Sequence, residues 1–335
     1  MKTAVVICPG RGTYNAAEIG TLAQFGNAGL IGGFERLRIS AGQESLMALD
    51  AGPFQASRHT TGDNASGLIY AASLSDFHAL QGVQVVAVTG NSMGWYTALA
   101  CAGALSPDDG FAVVNTMGTL MHQMGTGGQV IYPVTGDDWR PDATRRAQVM
   151  AWAAAHGLAL SIDLGGMFVL AGPDAALAAF TRAVPVEGRF PLRLPNHAAF
   201  HTQMMAPVAA AGQARLARGM FGQPRLPLID GRGAVWWPGA SRVAELYDYT
   251  LGHQVLQPYD LARAIRTAAR EFAPDLFIIP GPGTTLGGSV AQCLIAARWR
   301  GLQTRADFQK QQTTAPVVLS MGMPDQRELA TGAKA

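Results

Sequence analysis

One segment constrains this chain more than any other: Val85-Val-Ala-Val-Thr-Gly-Asn-Ser-Met-Gly-Trp-Tyr-Thr-Ala-Leu-Ala. A β-branched run ends in Gly90-Asn91-Ser92-Met93-Gly94 and passes without a spacer into a helix-forming stretch. Reversing from strand to helix in so few residues forces Ser92 into a strained backbone conformation. Side chains two positions to either side would collide, hence Gly90 and Gly94. The turn lifts the Ser92 hydroxyl to a helix start, where the Met93 N–H and the helix dipole favour an oxyanion formed beside it. With 40 glycines in the chain, a bare Gly-x-Ser-x-Gly arises by chance roughly 0.2 times. The flanking strand and helix make it a candidate nucleophile elbow; a plain Gly-rich strand–helix turn is the competing reading.

The surroundings suit such an elbow. Short apolar runs closed by Gly or Pro, at Ala4–Cys8, Val83–Val88, Phe168–Ala171 and Leu276–Ile279, read as buried strands. Ala- and Leu-rich stretches between them, such as Thr97–Leu105, Ala147–Ala155 and Leu261–Phe272, read as helices. This alternation predicts an α/β fold with parallel strands covered by helices. Residues 127–198 are organised differently. A strand (Gln129–Val134), a helix (Asp142–His156), two strands (Ala159–Asp163, Met167–Ala171), a helix (Pro173–Ala183) and a strand (Phe190–Leu194) follow in order, which suits a small βαββαβ module. From about Thr304 the chain turns polar and loses periodicity, so 304–335 is expected to be an appended or partly disordered tail.

Net charge narrows the classes of function. Twenty-five Lys and Arg against 23 Asp and Glu leave +2, too little to argue for nucleic acid or an anionic membrane surface. Cys8, Cys101 and Cys293 lack metal-ligand or CxxC spacing and fit a reducing compartment. The opening MKTAVVICPG meets Pro-Gly too early for a signal peptide, and no apolar run approaches a bilayer span. A soluble, cytoplasmic protein is the expectation.

A serine needs a base, and histidine is the usual one. His59, His78, His122 and His156 carry no supporting pattern. An ordinary α/β-hydrolase places its His near the C-terminus, yet none follows His253 here. His197, His201 and His253 remain as candidates.

At this point the chain, from residue 1 to about 300, resembles the malonyl-CoA:acyl carrier protein transacylases and the related acyltransferase domains of polyketide synthases. Cys8-Pro-Gly-Arg-Gly-Thr is similar to their Phe-Pro-Gly-Gln-Gly-Ser loop. Gly90-Asn-Ser-Met-Gly-Trp-Tyr-Thr-Ala-Leu resembles Gly-His-Ser-x-Gly-Glu-Tyr-x-Ala-Leu, and Ala199-Phe-His-Thr-Gln-Met-Met-Ala-Pro resembles Ala-Phe-His-Ser-x-x-Met-x-Pro. Gln254-Val-Leu-Gln-Pro and Gly281-Pro-Gly-Thr-Thr-Leu complete the order. The resemblance implies a hydrolase-like parallel-sheet core (1–126 and 199–303) with a ferredoxin-like subdomain inserted at 127–198. It implies Ser92 as nucleophile, His201 as base and the Gln254 backbone carbonyl as the group that orients the ring, a dyad in place of a triad. Met93 and the Arg11 position would form the oxyanion hole. An acyl-CoA would be the donor and the phosphopantetheine thiol of an acyl carrier protein the acceptor, with no metal or bound redox cofactor.

Departures from that pattern bear on the acyl group. Met117 stands where malonyl-selective members carry an Arg, and a thioether cannot clamp a carboxylate. That favours a neutral acyl chain over malonyl. Arg11 replaces a Gln and supplies a cation for the oxyanion, for a carboxylate reached from another side, or simply for solvent. Asn91 replaces a His, Trp95 replaces an acidic or amide residue and is expected to reshape the acyl tunnel, and Asn64 falls near a pocket glutamine. Ala199-Phe200 resembles variants that take small acyl groups, which pulls back towards malonyl. Ser161-Ile-Asp-Leu-Gly-Gly-Met stands in place of an Asn-rich stretch.

Three rivals remain in view. Water as acceptor would make the chain an acyl-thioester hydrolase editing carrier proteins. A dinucleotide loop at Gly10-Arg-Gly-Thr lacks its third glycine, with Asn15 in its place. A catalytically dead carrier-docking relative is disfavoured by the intact Ser92, His201 and Gln254.

Overall fold

A computed structural model describes residues 1–332 of the chain. Its larger sheet is built around β1 (Lys2–Cys8), which pairs in parallel with β2 (Val83–Gly90) on one side and β10 (Leu276–Ile279) on the other. β7 (Leu228–Ile229) and β11 (Val318–Ser320) extend it in parallel, and β8 (Val235–Trp236) closes one edge antiparallel, in the order β11-β10-β1-β2-β7-β8. Ala4 to Cys8 and Leu276 to Ile279 are all buried. That is the demand a strand covered on both faces makes, and it explains runs with no polar alternation. Helices Gly62–Ala79, Gly94–Cys101, Pro107–Met124, Leu261–Glu271 and Thr285–Ala296 pack with this sheet into one core. In Leu261–Glu271 the spacing is plain: Leu261, Ala264, Ile265 and Ala268 are buried, Arg263, Arg266 and Arg270 are exposed, and the Asp260 carboxylate caps the helix at the Arg263 N–H, 2.7 Å away.

The second sheet runs β6-β3-β5-β4-β9. β3 (Gly128–Pro133), helix Ala143–Ala155, β4 (Ala159–Asp163), β5 (Met167–Gly172), helix Asp174–Ala183 and β6 (Leu192–Leu194) follow in the βαββαβ order. Its strands alternate as period-2 geometry requires. Val130, Tyr132, Phe168 and Leu170 bury against Val149, Leu177 and Phe180 of the two helices. Ile131, Met167 and Val169 face the other way and line a cavity against the larger core. β9 (Tyr259–Asp260) comes from the far side of the chain and pairs in parallel with β4. Two residues are too few for a strand signal, so this tie had no legible mark.

The tail reading is corrected. Residues 305–331 form helix Arg305–Thr314, strand β11 and helix Pro324–Thr331. β11 is an edge strand of the larger sheet, and the Arg327 guanidinium forms a two-point pair with buried Asp76, at 2.5 and 2.8 Å. A three-residue strand between polar helices carries too little periodicity to be recognised alone. Residues 333–335 of the expected tail lie outside the described residues. Among the described residues no helix is long and apolar enough to cross a membrane.

Candidate active site

β1 and β2 end side by side, and the turn after β2 carries the serine. A Cβ added at Gly90 would lie 2.2 Å from the Gly94 carbonyl group, and one at Gly94 would lie 2.1 Å from the Cys8 carbonyl oxygen. Only glycine lets the three segments pass so close. Ser92 itself takes φ = 54° and His201 takes φ = 63°. Each left-handed residue costs about 1–2 kcal/mol, retained because the surroundings over-determine it.

These two residues meet. Ser92 Oγ lies 2.8 Å from His201 Nε2, and His201 Nδ1 lies 2.6 Å from the Gln254 carbonyl oxygen. A carbonyl can only accept, so Nδ1 carries the proton and Nε2 is left with a lone pair towards the serine. The Gln254 side chain braces the same turn: its Nε2 donates to the Ser92 carbonyl at 3.0 Å and its Oε1 accepts from Tyr96 at 3.2 Å. Burial pushes the His201 imidazole down to about 4, against the smaller opposing effect of the Gln254 carbonyl. The ring is therefore neutral, the form able to take a proton, at any physiological pH.

A cavity of about 550 Å³ opens beside Ser92. Asn91, Met93, Met117, Phe200 and Arg11 line it together with Ser92. The backbone N–H groups of Met93 and Arg11 donate to no acceptor among the described residues. The Arg11 side chain does not point to solvent. Its Nη2 donates to the Thr60 carbonyl at 2.6 Å and the Asn196 carbonyl at 2.7 Å, and its Nη1 lies 3.1 Å from Met121 Sδ.

Two expected pocket residues are elsewhere. Asn64 accepts from Arg38 at 2.6 Å and donates to the Arg58 carbonyl at 2.9 Å; the buried guanidinium of Arg38 needs that acceptor, and the amide does not line the cavity. Trp95 is fully buried away from the cavity wall, its indole N–H donating to Thr250 at 3.0 Å and its ring edge-on to Tyr249 at 5.3 Å. Its helical neighbour Tyr96 lines the cavity instead.

Of the other histidines, His197 lines the cavity but its Nδ1 is taken by the Pro195 carbonyl at 2.8 Å; burial first and the Arg11 charge second push it down to about 3. His253 stacks on Tyr249. Sequence reasoning missed Tyr259, whose ring lies 5.6 Å from that of His201 and whose hydroxyl donates to the Gly90 carbonyl. It also missed Ser161, which donates to the Phe200 carbonyl at 2.8 Å. Neither residue bears a local signal, because both act across more than 35 residues of chain.

An α/β sheet with a serine on a glycine-flanked strand–helix elbow, bonded to a histidine held by a carbonyl, defines a class of nucleophile-elbow proteins. In fold the chain is similar to malonyl-CoA:acyl carrier protein transacylases, and in sequence it is similar to parts of polyketide synthases. The malonyl-CoA:acyl carrier protein transacylase of Xanthomonas oryzae pv. oryzae superposes with a TM-score of 0.75 over 100% of this chain and 99% of that one, at 20% identity. A malonyl-transacylase solved in complex with its type II polyketide synthase acyl-carrier protein superposes with a TM-score of 0.75 over 98% and 99%, at 18% identity. In sequence, polyketide synthase GfsB of Streptomyces halstedii is 29% identical over 219 residues, which span 64% of this chain and 4% of the synthase. No protein-family model matches the chain.

Proposed function

We propose that this chain moves an acyl group from an acyl-CoA to the phosphopantetheine thiol of an acyl carrier protein, through an ester on Ser92. The observation that carries the reading is the Ser92–His201–Gln254 relay, with its bond lengths and its fixed tautomer.

In the first half-reaction His201 Nε2 takes the Ser92 proton as Oγ attacks the thioester carbonyl. Charge collects on the carbonyl oxygen, and the unpartnered N–H groups of Met93 and Arg11 are the donors available to it. The C–S bond breaks, the imidazolium returns its proton to the departing CoA sulfur, and the acyl-serine remains. In the second half the carrier thiol gives its proton to His201 as its sulfur attacks the ester; the acyl–Oγ bond breaks and the imidazolium returns the proton to Oγ, restoring Ser92. Nothing in this sequence of steps calls on a metal or redox group. The domain reading belongs to the same proposal: a hydrolase-like core of 1–126 and 199–303 and a ferredoxin-like insert of 127–198, with the acyl cavity between them.

Met117 lines the cavity as a thioether and cannot clamp a carboxylate. Acyl selection therefore falls to the remaining wall. The test of the acceptor is release of free CoA from an acyl-CoA with and without a holo-carrier protein. Acceleration by the holo-carrier, with the acyl group recovered on its thiol, supports transfer; equal release in both, with free acid as product, would establish the hydrolase instead.

A further inference from the structure

We infer that Arg11 is the specificity-determining residue of the acyl cavity, an anchor for acyl groups that end in a carboxylate. The inference rests on the acyl-transfer reading of Ser92 and names the class of acyl group that site takes.

Several observations carry it. The guanidinium forms part of the cavity wall beside Met117 and Met121, two residues one turn apart on helix Pro107–Met124. It makes no ion pair with any carboxylate among the described residues. Asp63 is the carboxylate whose field reaches it, without contact. Its Nε is buried and has no hydrogen-bond partner. Burial lowers the group to about 10, so it stays charged near neutrality. No Asp or Glu lines the cavity, and the other charged residue there is the exposed Arg189. A desolvated cation with a free N–H in a carboxylate-free cavity is costly until an anion arrives.

The wall also supplies a second donor. Ser66 lines the cavity, and its buried Oγ has no partner. It sits where helices Gly62–Ala79 and Pro107–Met124 touch: a Cβ at Gly118 would lie 2.7 Å from Ser66 Oγ, and one at Gly62 would lie 2.4 Å from the Gly118 carbonyl oxygen. Both protons of Arg11 Nη2 are committed to carbonyls, so a fork-on-fork grip is closed. The side-chain N–H groups of Arg11 left without a protein acceptor are Nε–H and the second Nη1–H, so a carboxylate oxygen is held by a charge-assisted bond from the guanidinium edge, with the Ser66 hydroxyl a further unpartnered donor among the lining residues. The carbonyls of Thr60 and Asn196 hold the guanidinium in place without neutralising it.

The experiment is equilibrium binding of malonyl-CoA and butyryl-CoA to Ser92→Ala protein, in which no acyl-enzyme forms, with and without Arg11→Met and Arg11→Lys. The anchor predicts that malonyl-CoA binds at least tenfold more tightly than butyryl-CoA. It predicts that Arg11→Met removes that ratio and that Arg11→Lys keeps part of it. Equal binding of the two ligands, tighter binding of butyryl-CoA, or a ratio that survives Arg11→Met would overturn it. Unfolding midpoints of the variants separate loss of the anchor from loss of the fold. Because Ser92 is absent, failure of acyl transfer as the chain's function would leave the binding ratio readable.

Discussion

The Ser161 hydroxyl donates to the Phe200 carbonyl at 2.8 Å while receiving Gln129 Nε2 at 2.7 Å, so the residue before His201 hangs from the smaller sheet. His201 holds a left-handed backbone, which makes its ring direction sensitive to the peptide that precedes it. Ser161 is thus a positioning residue that couples the smaller sheet to the proposed base. Ser161→Ala is expected to cost about 1 kcal/mol of stability in chemical denaturation. Its acylation rate should fall up to about tenfold, the equivalent of 1.4 kcal/mol of misplacement. Ser161→Thr, which keeps the hydroxyl, should recover most of the rate. A purely structural role would change stability and leave the rate alone.

Acid should reveal the buried imidazole. His201 must be neutral to accept the serine proton, and burial has moved it from 6.5 to about 4. The acylation rate is therefore expected to hold level from pH 8 down to about 5 and to fall only below that, where an exposed histidine would give a limb near 6.5. Stability follows the same group with a fixed sign. The folded form resists protonation and the unfolded form does not, so the contribution is complete above pH 6.5 and is lost as pH falls towards 4. The loss from His201 alone amounts to about 3 kcal/mol at pH 4, readable as a falling unfolding midpoint. His197, pushed down to about 3 by burial and by Arg11, adds to the same slope.

The C-terminal helix should prove integral to the core. Arg327 pairs with buried Asp76, whose other polar contact is the Gly281 N–H at 2.8 Å. Removing the cation leaves a desolvated carboxylate, so Arg327→Met is expected to cost about 3–5 kcal/mol in urea unfolding. Replacing both partners, Asp76→Leu with Arg327→Met, should recover much of that loss, because it removes the orphaned charge along with the pair.

What the chain discloses about itself follows from how local each feature is. The elbow was legible because the turn is local: Gly90 is held against Gly94, four residues on, whereas the close approach of Gly94 to the Cys8 carbonyl appears only in the fold. The βαββαβ order of 128–194 was legible because its strands alternate faces and its helices are long. β9 and β11 were not, since two- and three-residue strands exist only through the partners they meet. Met117 and Phe200 line the cavity, whereas Asn64 and Trp95 turn elsewhere. For Asn64 the deciding partner is Arg38, 26 positions away; for Trp95 it is Thr250, 155 positions away. A residue's place in a motif says which helix face it occupies, and the long-range partner decides what it touches. Arg11 is the clearest case: its place in a Gly-rich loop left the oxyanion, a carboxylate and solvent all open to the cation, and carbonyls from Thr60 and Asn196 fix its side chain.

The central claim is an acyl ester on Ser92, and intact-protein mass after brief exposure to a panel of acyl-CoAs tests it most directly. The account predicts a mass gain equal to the acyl group, localised by peptide mapping to the segment containing Ser92. It predicts that the gain disappears in Ser92→Ala, slows at least a hundredfold in His201→Ala, and is discharged by a holo-carrier protein. A gain that persists in Ser92→Ala, or unchanged turnover of an acyl-CoA by that variant, would contradict it.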